Sequence, residues 1–497
     1  MAALKHKTLE VEKLKMQLLK LRRMQFGRSS EKLDREVAQL ELLIEDLEAQ
    51  EAVSPMPADE TADDAATSTP AGEKRKPARR KLPEHLPRQT IVHAPPATCP
   101  DCGGKVRLLG ETTSEVLEYV PGHFKIIEHV RPKVSCRCCE AIHQASPPNL
   151  PIERGRPGPG LLAHVLVAKY CDHLPLYRQS EIYGREGIEL SRSTMAGWVG
   201  RAAFELRPLV EAIGAYVLAV DKIHGDDTPV QVLAPGTGKT KTGRLWVYAC
   251  DDRPFASSAP PAVLYRYSPD RKGEHPRRHL KDFRGILQAD GYAGFNELYA
   301  SGERIEVACW AHVRRKFFDI HAANASPLAH EALQRIAALY GVESKARQQA
   351  AEQRRSLRQS RAGPLLDQLK DWFETSLRRI SGKSQLAGAI RYALNRWTAL
   401  TRYRDDGRLE IDNNIAERAI RGIALGRKNW LFAGSDEGGE RAAAIYTLIE
   451  TAKLNGVDPQ AWLTDVLARL ATHPAKSIDD LLPWHWLAAK SNTAIAA

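Results

Sequence analysis

The sequence has 497 residues and a mass of 55.3 kDa, with 43% hydrophobic and 27% charged residues. That is ordinary globular composition, which excludes a wholly disordered or fibrous chain and suggests about three domains at roughly 150 residues each. Lys plus Arg outnumber Asp plus Glu by 72 to 61, so the net charge of +11 favours a polyanionic partner.

No apolar run approaches the ~20 residues a bilayer span needs. The N-terminus is charged from Lys5 onward and lacks the apolar core of a signal peptide. The expectation is a soluble protein that is not visibly exported, with no membrane partner. Of the 8 Cys, four stand in two Cys-x-x-Cys pairs. That suits a reducing compartment and a metal better than a disulfide framework.

Residues 1–50 are free of Pro and read as helix. Leu4, Val11 and Leu18 repeat every seven. After a break at Gly27–Ser30, Leu33, Leu40 and Leu47 fall at d, with Val37 and Ile44 at a. β-branched residues at a with Leu at d favour a parallel two-stranded coil, and so a homodimer or higher oligomer. An amphipathic hairpin folded back on its own domain accounts for the same pattern. Residues 51–88 begin acidic, turn basic at Lys74-Arg75-Lys76 and Arg79-Arg80-Lys81, and offer little to a core. They read as a disordered linker whose basic run either meets phosphates or is simply solvated.

Residues 89–150 open with Cys99-Pro-Asp-Cys102-Gly-Gly and close with Cys136-Arg-Cys138-Cys139. Two such knuckles can give four thiolates to one tetrahedral Zn²⁺. Strand-like residues lie between them, so a zinc ribbon is expected, with Cys99, Cys102, Cys136 and Cys139 as ligands. A closed four-Cys site is structural.

Residues 151–215 predict helices over Leu161–Tyr170, Leu176–Tyr183 and through Trp198 to Leu206, the last capped by Ser191 or Ser193. That is helix-turn-helix-like spacing, suited to DNA, with Arg192 a candidate contact. Residues 216–322 change to β character. Strands are expected at Ile223–Leu233, Arg244–Asp251, Ala262–Ser268, Gly285–Asp290 and Ile305–Trp310, with a charged helix at Glu274–Phe283. Residues 323–407 return to helix. Residues 408–456 carry a helix bearing Glu417, and residues 457–497 form a helical cap. The fold class is multidomain α/β plus α.

Gly236-Thr-Gly-Lys-Thr240 imitates the end of a phosphate-binding loop. Leu233 stands where that loop needs its first Gly, and no helix follows, so the segment reads as a hairpin turn. The carboxylates are more informative. Asp226 lies inside the first predicted strand, where Asp is disfavoured. Asp290 closes the fourth, and Glu417 sits on a later helix. Three carboxylates on two strands and a helix can hold two Mg²⁺ (or Mn²⁺) ions ~3.5–4 Å apart. Arg418, Arg421, Arg427 and Lys428 beside Glu417 could hold DNA phosphates. Each Asp alone could equally cap a loop or pair with Arg.

With these residues in place the chain resembles the insertion-sequence sixty-six family, DDE transposases of bacterial mobile elements. The resemblance rests on Arg22-Arg-Met-Gln-Phe-Gly-Arg-Ser-Ser-Glu31, the Cys99 knuckle, His173-Leu-Pro-Leu-Tyr-Arg-Gln179 and Asp226-Asp-Thr-Pro229. It continues through Asp290-Gly-Tyr292, Cys309-Trp-Ala-His-Val-Arg-Arg-Lys-Phe317, Asp412 to Gly434, and Leu448-Ile-Glu-Thr-Ala-Lys453. It implies a ribonuclease-H-like catalytic domain interrupted by a helical insertion, with Asp226, Asp290 and Glu417 as catalytic metal ligands. It also implies terminal inverted repeats and target DNA as substrates, and small accessory proteins as partners. The family's Asp-Glu-Thr-Pro is Asp-Asp-Thr-Pro here, which makes Asp227 a reserve ligand. Cys309-x-x-His312 resembles a motif of other insertion-bearing transposases. His312, Arg314 and Arg315 are expected at the base of the insertion, and the two arginines are DNA-contact candidates as well. A non-catalytic DNA-binding regulator and a nuclease or resolvase of the same fold are the competing readings.

Overall fold

The computed structural model describes residues 157–496 apart from 235, and before them residues 122, 124–127, 133–135, 142–144 and 149–152. The chain divides into two units, Met1–Ser54 with Arg131–Ala497, and Pro55–Val130. Only the first unit is followed below. The heptads of residues 1–50, the linker at 51–88 and the four expected zinc ligands lie outside the described residues.

β1 (Lys133–Ser135) and β2 (Ile142–Gln144) pair antiparallel, with Val134 opposite His143. Four helices follow. α1 (Pro159–Tyr170) starts on a proline that fits a first turn and buries Leu162, Val165 and Leu166. α2 (Leu176–Arg185) offers the core only Gln179 and Tyr183. α3 (Arg192–Glu205) is capped by Ser191, whose hydroxyl accepts the Thr194 N–H at 3.1 Å, so the cap is Ser191 and not Ser193. α4 (Arg207–Ala219) packs Leu209, Ile213 and Val217 inward.

The sheet has five strands in the order β5-β4-β3-β6-β7. β3 (Lys222–Ala234) and β4 (Lys239–Cys250) form a long antiparallel hairpin, turned at Gly236–Gly238 by the segment that imitates a phosphate loop. β5 (Ala262–Ser268) adds antiparallel to β4. Helix α5 (Glu274–His279) stops short of the predicted Phe283, because Leu280 and Phe283 turn into the core. β6 (Gly285–Ala289) then enters parallel to β3, and after the short α6 (Asn296–Ala300), β7 (Arg304–Val307) enters parallel to β6. The last strand ends before the predicted Trp310. That residue begins a helix, with its backbone N–H on the Ile411 carbonyl and its indole N–H on the Leu400 carbonyl.

A helical layer follows: α7 (Trp310–Asn324), α8 (Pro327–Ala346), α9 (Ala351–Leu357), a π-helical turn at Arg358–Ala362, α10 (Gly363–Arg379), α11 (Gln385–Asn395) and α12 (Trp397–Thr401). Its core stacks Phe317 on Phe373, ring centroids 5.5 Å apart, and sets Trp310 edge-on to Trp397. The chain returns to the sheet through α13 (Asn414–Trp430), α14 (Asp436–Leu454), α15 (Pro459–Arg469) and α16 (Pro483–Ala496). α14 covers the β5 edge. Its Thr447 and Thr451 hydroxyls accept the Tyr265 and Val263 N–H groups, so the edge strand is not left to recruit another chain.

Two buried arginines join this helical layer to the returning chain. Arg358 donates to both oxygens of Glu343, at 2.8 and 2.6 Å, and to the carbonyls of Tyr403, Asp406 and Leu409. Arg354 donates to Glu410 Oε1 at 2.7 Å. Removing one partner strands a buried charge. Arg358→Ala should therefore lower stability by about 3–5 kcal/mol in urea unfolding, and a loss under about 1 kcal/mol would contradict the role assigned to this clamp.

Candidate functional site

Strand register places the first two carboxylates. β3 and β6 run parallel with Gly225 opposite Ala289, so the next residues, Asp226 within β3 and Asp290 just past the end of β6, stand side by side. Adjacent strands lie about 4.8 Å apart, and side chains of matched register share a face. A peptide N–H fixes one Asp226 oxygen, since Asp227 N donates to Oδ1 at 2.7 Å. Asp290 Oδ1 accepts the Tyr292 N–H at 3.1 Å.

The third carboxylate arrives through Asn413. This side chain is fully buried. Its Nδ2 donates to the Gly225 carbonyl at 2.9 Å, and its Oδ1 meets His224 Nδ1 at 3.1 Å. Its backbone N–H reaches Cys309 Sγ at 3.2 Å, and its carbonyl accepts the Ala416 and Glu417 N–H groups. One residue thus joins β3, the entry to α7 and the first turn of α13, where Glu417 sits. Gln288 of β6 adds two bonds, from Nε2 to the Glu410 and Asp412 carbonyls. Burial beside Lys222 depresses His224 to about 3, so the imidazole is neutral and donates from Nδ1 to Asn413.

The electrostatics report the convergence. Burial pushes Asp226 well above the ordinary carboxylate range, and the charges of Asp290, Glu417 and Asp227 push in the same direction. Asp412, buried beside Glu410 and Glu417, is raised to about 7. Asp226, whose ionisation is opposed by burial and by neighbouring carboxylate charge, suits a hard divalent cation, which reverses the penalty. The three oxygens do not close into one tight cluster. Among the described residues, the groups whose ligand atoms lie within 4.8 Å of one another are Cys309–His312–Glu417 and Asp270–Glu274–His275.

Other expected residues divide by location. Asp227 faces away from Asp226 and is held by Arg244 at 3.0 Å and Arg271 at 2.8 Å. Its side chain is 1% exposed, so it is an anchor for cations and not a reserve ligand. Arg271 carries the charge onward to 3.9 Å from Asp290. His312, on the first turn of α7, brings Nδ1 to 3.7 Å from Glu417 Oε1. Arg427 turns inward and donates to Thr228 Oγ1 and the Pro229 carbonyl, fastening α13 to β3. Arg418 and Lys428 are the exposed cations of that helix, and Arg421 is half-buried. Arg192 lies exposed at the start of α3, away from these strands in sequence. Trp430 packs against Gly426, where a Cβ would stand 2.9 Å from its Nε1 and 2.8 Å from His173 Nδ1.

Several site residues had no motif to announce them. A cleft of about 400 Å³ opens beside Asp290, with Arg271 and Tyr292 on the sheet side and His312, Arg315, Lys316 and Tyr392 on α7 and α11. Tyr392 presses on Gly291, where a Cβ would lie 2.5 Å from the phenol oxygen. Lys316 and Arg396 lie over its ring at 4.5 and 4.6 Å, and Arg271 lies over Tyr292 at 4.2 Å. The Asp290-Gly-Tyr292 motif was legible. Its partners on α11 were not, since nothing local pairs residues a hundred positions apart.

Residues 154–441, more than half of the chain, match the family model described as "Transposase IS66 family". Residues 447–484 match the "IS66 C-terminal element", residues 96–140 the "zinc-finger binding domain of transposase IS66", and residues 13–91 "Transposase C of IS166 homeodomain". The zinc-finger match spans all four expected Cys ligands and supports Zn²⁺ binding. Two proteins of Sinorhizobium fredii (strain NBRC 101917 / NGR234) are similar over most of their length. Uncharacterized protein y4hP is 42% identical over 97% of this chain and 90% of its own. Uncharacterized protein y4qI is 44% identical over 84% of this chain and 79% of its own. Among the described residues, no helix is long and apolar enough to cross a membrane.

The raised Asp226 gives a signed prediction. Its folded pKa lies above the unfolded value near 3.8, so ionisation penalises the fold, increasingly as pH rises above that value. Without added divalent ion, Asp226→Asn should therefore raise the thermal midpoint by a few degrees at pH 8, on the order of 1 kcal/mol, and by much less at pH 4. Added Mg²⁺ should stabilise wild type more than the variant. Scanning fluorimetry showing no gain at pH 8 would refute the like-charge account.

Proposed function

Since the chain belongs to the IS66 transposase family, we propose that it is a DDE transposase, binding the terminal inverted repeats of its element and cutting and joining their strands to target DNA. The register that sets Asp226 beside Asp290, with the Glu417 charge acting on Asp226, is the observation that supports this reading. The order β5-β4-β3-β6-β7 supports a ribonuclease-H-like domain, with an Asp on the first strand, an Asp after the fourth, and a Glu on a later helix. The helices between β7 and α13 are then the insertion, and α1–α4 the helix-turn-helix-like module.

Asp226, Asp290 and Glu417 would hold Mg²⁺, with Mn²⁺ as a substitute. Bound there, the metal supplies activation of the attacking oxygen and stabilisation of the leaving 3′-oxygen. The protein's own part is placement. β3 and β6 fix two carboxylates by register, and Asn413 fixes the third. Arg271, anchored on Asp227, stands beside Asp290 with a guanidinium for a phosphate oxygen. Arg315 and Lys316 across the cleft, with Arg418 and Lys428 along α13, neutralise the DNA backbone. A structural Zn²⁺ on Cys99, Cys102, Cys136 and Cys139, a dimer or higher oligomer through the N-terminal heptads, and small accessory proteins complete the assembly. Its place of work is the bacterial cytoplasm, at the nucleoid.

Purified protein mixed with labelled element ends, supercoiled plasmid and Mg²⁺ should yield joined product. Asp226→Asn, Asp290→Asn and Glu417→Gln should each cut joining by about 10³-fold or more while sparing end binding, since metal stabilisation is worth several kcal/mol. Joining at the wild-type level by any of the three would refute the assignment. Cleavage without joining would favour a nuclease, and binding alone a regulator. For the zinc site, Cys102→Ser should lose about one Zn²⁺ per chain by elemental analysis. Unchanged zinc content would exclude that ligand set.

A further inference from the structure

The far end of the Glu417 helix carries a feature that the catalytic reading leaves unused. α13 runs from Glu417 along β3 to Trp430, and its exposed positions are Arg418, Leu425 and Lys428. The next two residues are Leu431, 56% exposed, and Phe432, 42% exposed. Leu233 is exposed beside them, its N–H on the Ala433 carbonyl at 2.9 Å. Isolated exposed apolar side chains are common. Three neighbouring large ones, close to the exposed Lys428, are not, and point to a partner.

The backbone there is strained. Leu431 has φ 61° and ψ −48°, and the Phe432 N–H closes on the Trp430 carbonyl at 2.7 Å. That is a γ-turn of the positive-φ kind, rare for a residue with a branched side chain. Three further bonds impose it: Leu431 N to the Arg427 carbonyl at 2.9 Å, Ala433 N to the Gln231 carbonyl at 2.8 Å, and the Leu233 bond above. Ala433 thereby pairs with Val232 as a short parallel bridge beyond the end of β6, pinning the turn to the sheet. Glycine would adopt this turn without cost. A leucine held there by its surroundings is displayed rigidly, and strain of this sort marks functional surfaces.

Charge identifies the occupant. A second copy of a chain with net charge +11 is disfavoured against a stripe bearing Arg418 and Lys428, whereas DNA is favoured. Leu431 lies fourteen residues beyond Glu417. At ~1.5 Å per residue that is about 21 Å, or about six base pairs at ~3.4 Å each. Leu and Phe are side chains that wedge between base steps and kink a duplex. Resting on the transposase reading, we propose that Leu431 and Phe432 form an apolar wedge that enters a base step of the bound element end, about six base pairs from the point of cleavage.

The test uses the full chain and short end duplexes carrying 2-aminopurine at successive positions. Binding of wild type, without divalent ion, should raise fluorescence at one or two adjacent positions about six steps from the cleavage point. Phe432→Ser and Leu431→Gly should lose most of that rise and slow joining by roughly 10-fold, with thermal midpoints no lower than wild type. Wild type that binds and joins with no unstacking at any position would overturn the wedge and leave the transposase reading intact. Variants that join normally but elute with a changed oligomeric state would overturn it in favour of an interface between copies. If wild type neither binds nor joins end DNA, the transposase reading falls and the wedge with it.

Discussion

The arrangement turns on one buried amide. Asn413 spends its donors on the Gly225 carbonyl and the Cys309 sulfur, and its two oxygens on His224 and the first turn of α13. His224, Gly225 and Cys309 belong to segments far away in sequence, and the first turn of α13 follows directly. Without that residue, the strand bearing Asp226 and the helix bearing Glu417 would be tied by Arg427 only at the far end of the helix, and the Glu417 end would be left to apolar packing, which is indifferent to small slides and rotations. Hydrogen bonds in a dry interior are directional and costly to leave unmade. They therefore set the position of Glu417 where packing alone would not. Neutral His224 belongs to this design, since a charged imidazole at that depth would need a partner that Asn413 cannot be.

Charge is distributed to the same end. Two adjacent strand residues, Asp226 and Asp227, have opposite fates because a strand sends successive side chains to opposite faces. Asp227 is neutralised by Arg244 and Arg271 and becomes part of the scaffold. Asp226 is left among Asp290 and Glu417 with burial against it. Stability is surrendered at this point, and recovered elsewhere by the Arg354 and Arg358 clamp and by the α14 threonines on the β5 edge. Arg271 links the two carboxylate environments: it is fixed by Asp227 and presented beside Asp290.

What the sequence made legible follows from the range of each signal. Local patterns were readable: the β3–β4 hairpin, the Ser191 cap and the all-helical stretch before Glu417 each rest on contacts within a few residues. Asp226 stood out because a strand interior disfavours it, and Asp290 because it closes a strand. Boundaries failed where tertiary contacts decided them. Trp310 was read into a strand because it is apolar and follows Ile305–Val307, yet its hydrogen bonds to the Leu400 and Ile411 carbonyls turn it into a helix. Arg427 looked like a phosphate ligand because a charge count cannot say which way a side chain faces, and Thr228 and Pro229 claim it. Tyr392 and Arg396 could not be found at all. Their role depends on α11 reaching back to Gly291, a contact that leaves no periodic trace.

The same reasoning separates the two ends of α13. At its start, side chains are fixed by partners, and the strain is electrostatic. At its end, the side chains of Leu431 and Phe432 stand exposed, and the strain is in the backbone. A helix is the stiffest short connector a protein has, at ~1.5 Å per residue with no soft joint in an unbroken run. α13 is continuous from Asn414 to Trp430 and fastened in its last turn by Arg427. Whatever DNA lies against Arg418 and Lys428 is therefore gauged from Glu417 by a fixed length. A reaction that must cut at one phosphate needs such a gauge, because backbone contacts alone let a duplex slide. An apolar wedge at the distal end would stop that sliding without reading a base, by making one position of the duplex cheaper to deform than its neighbours.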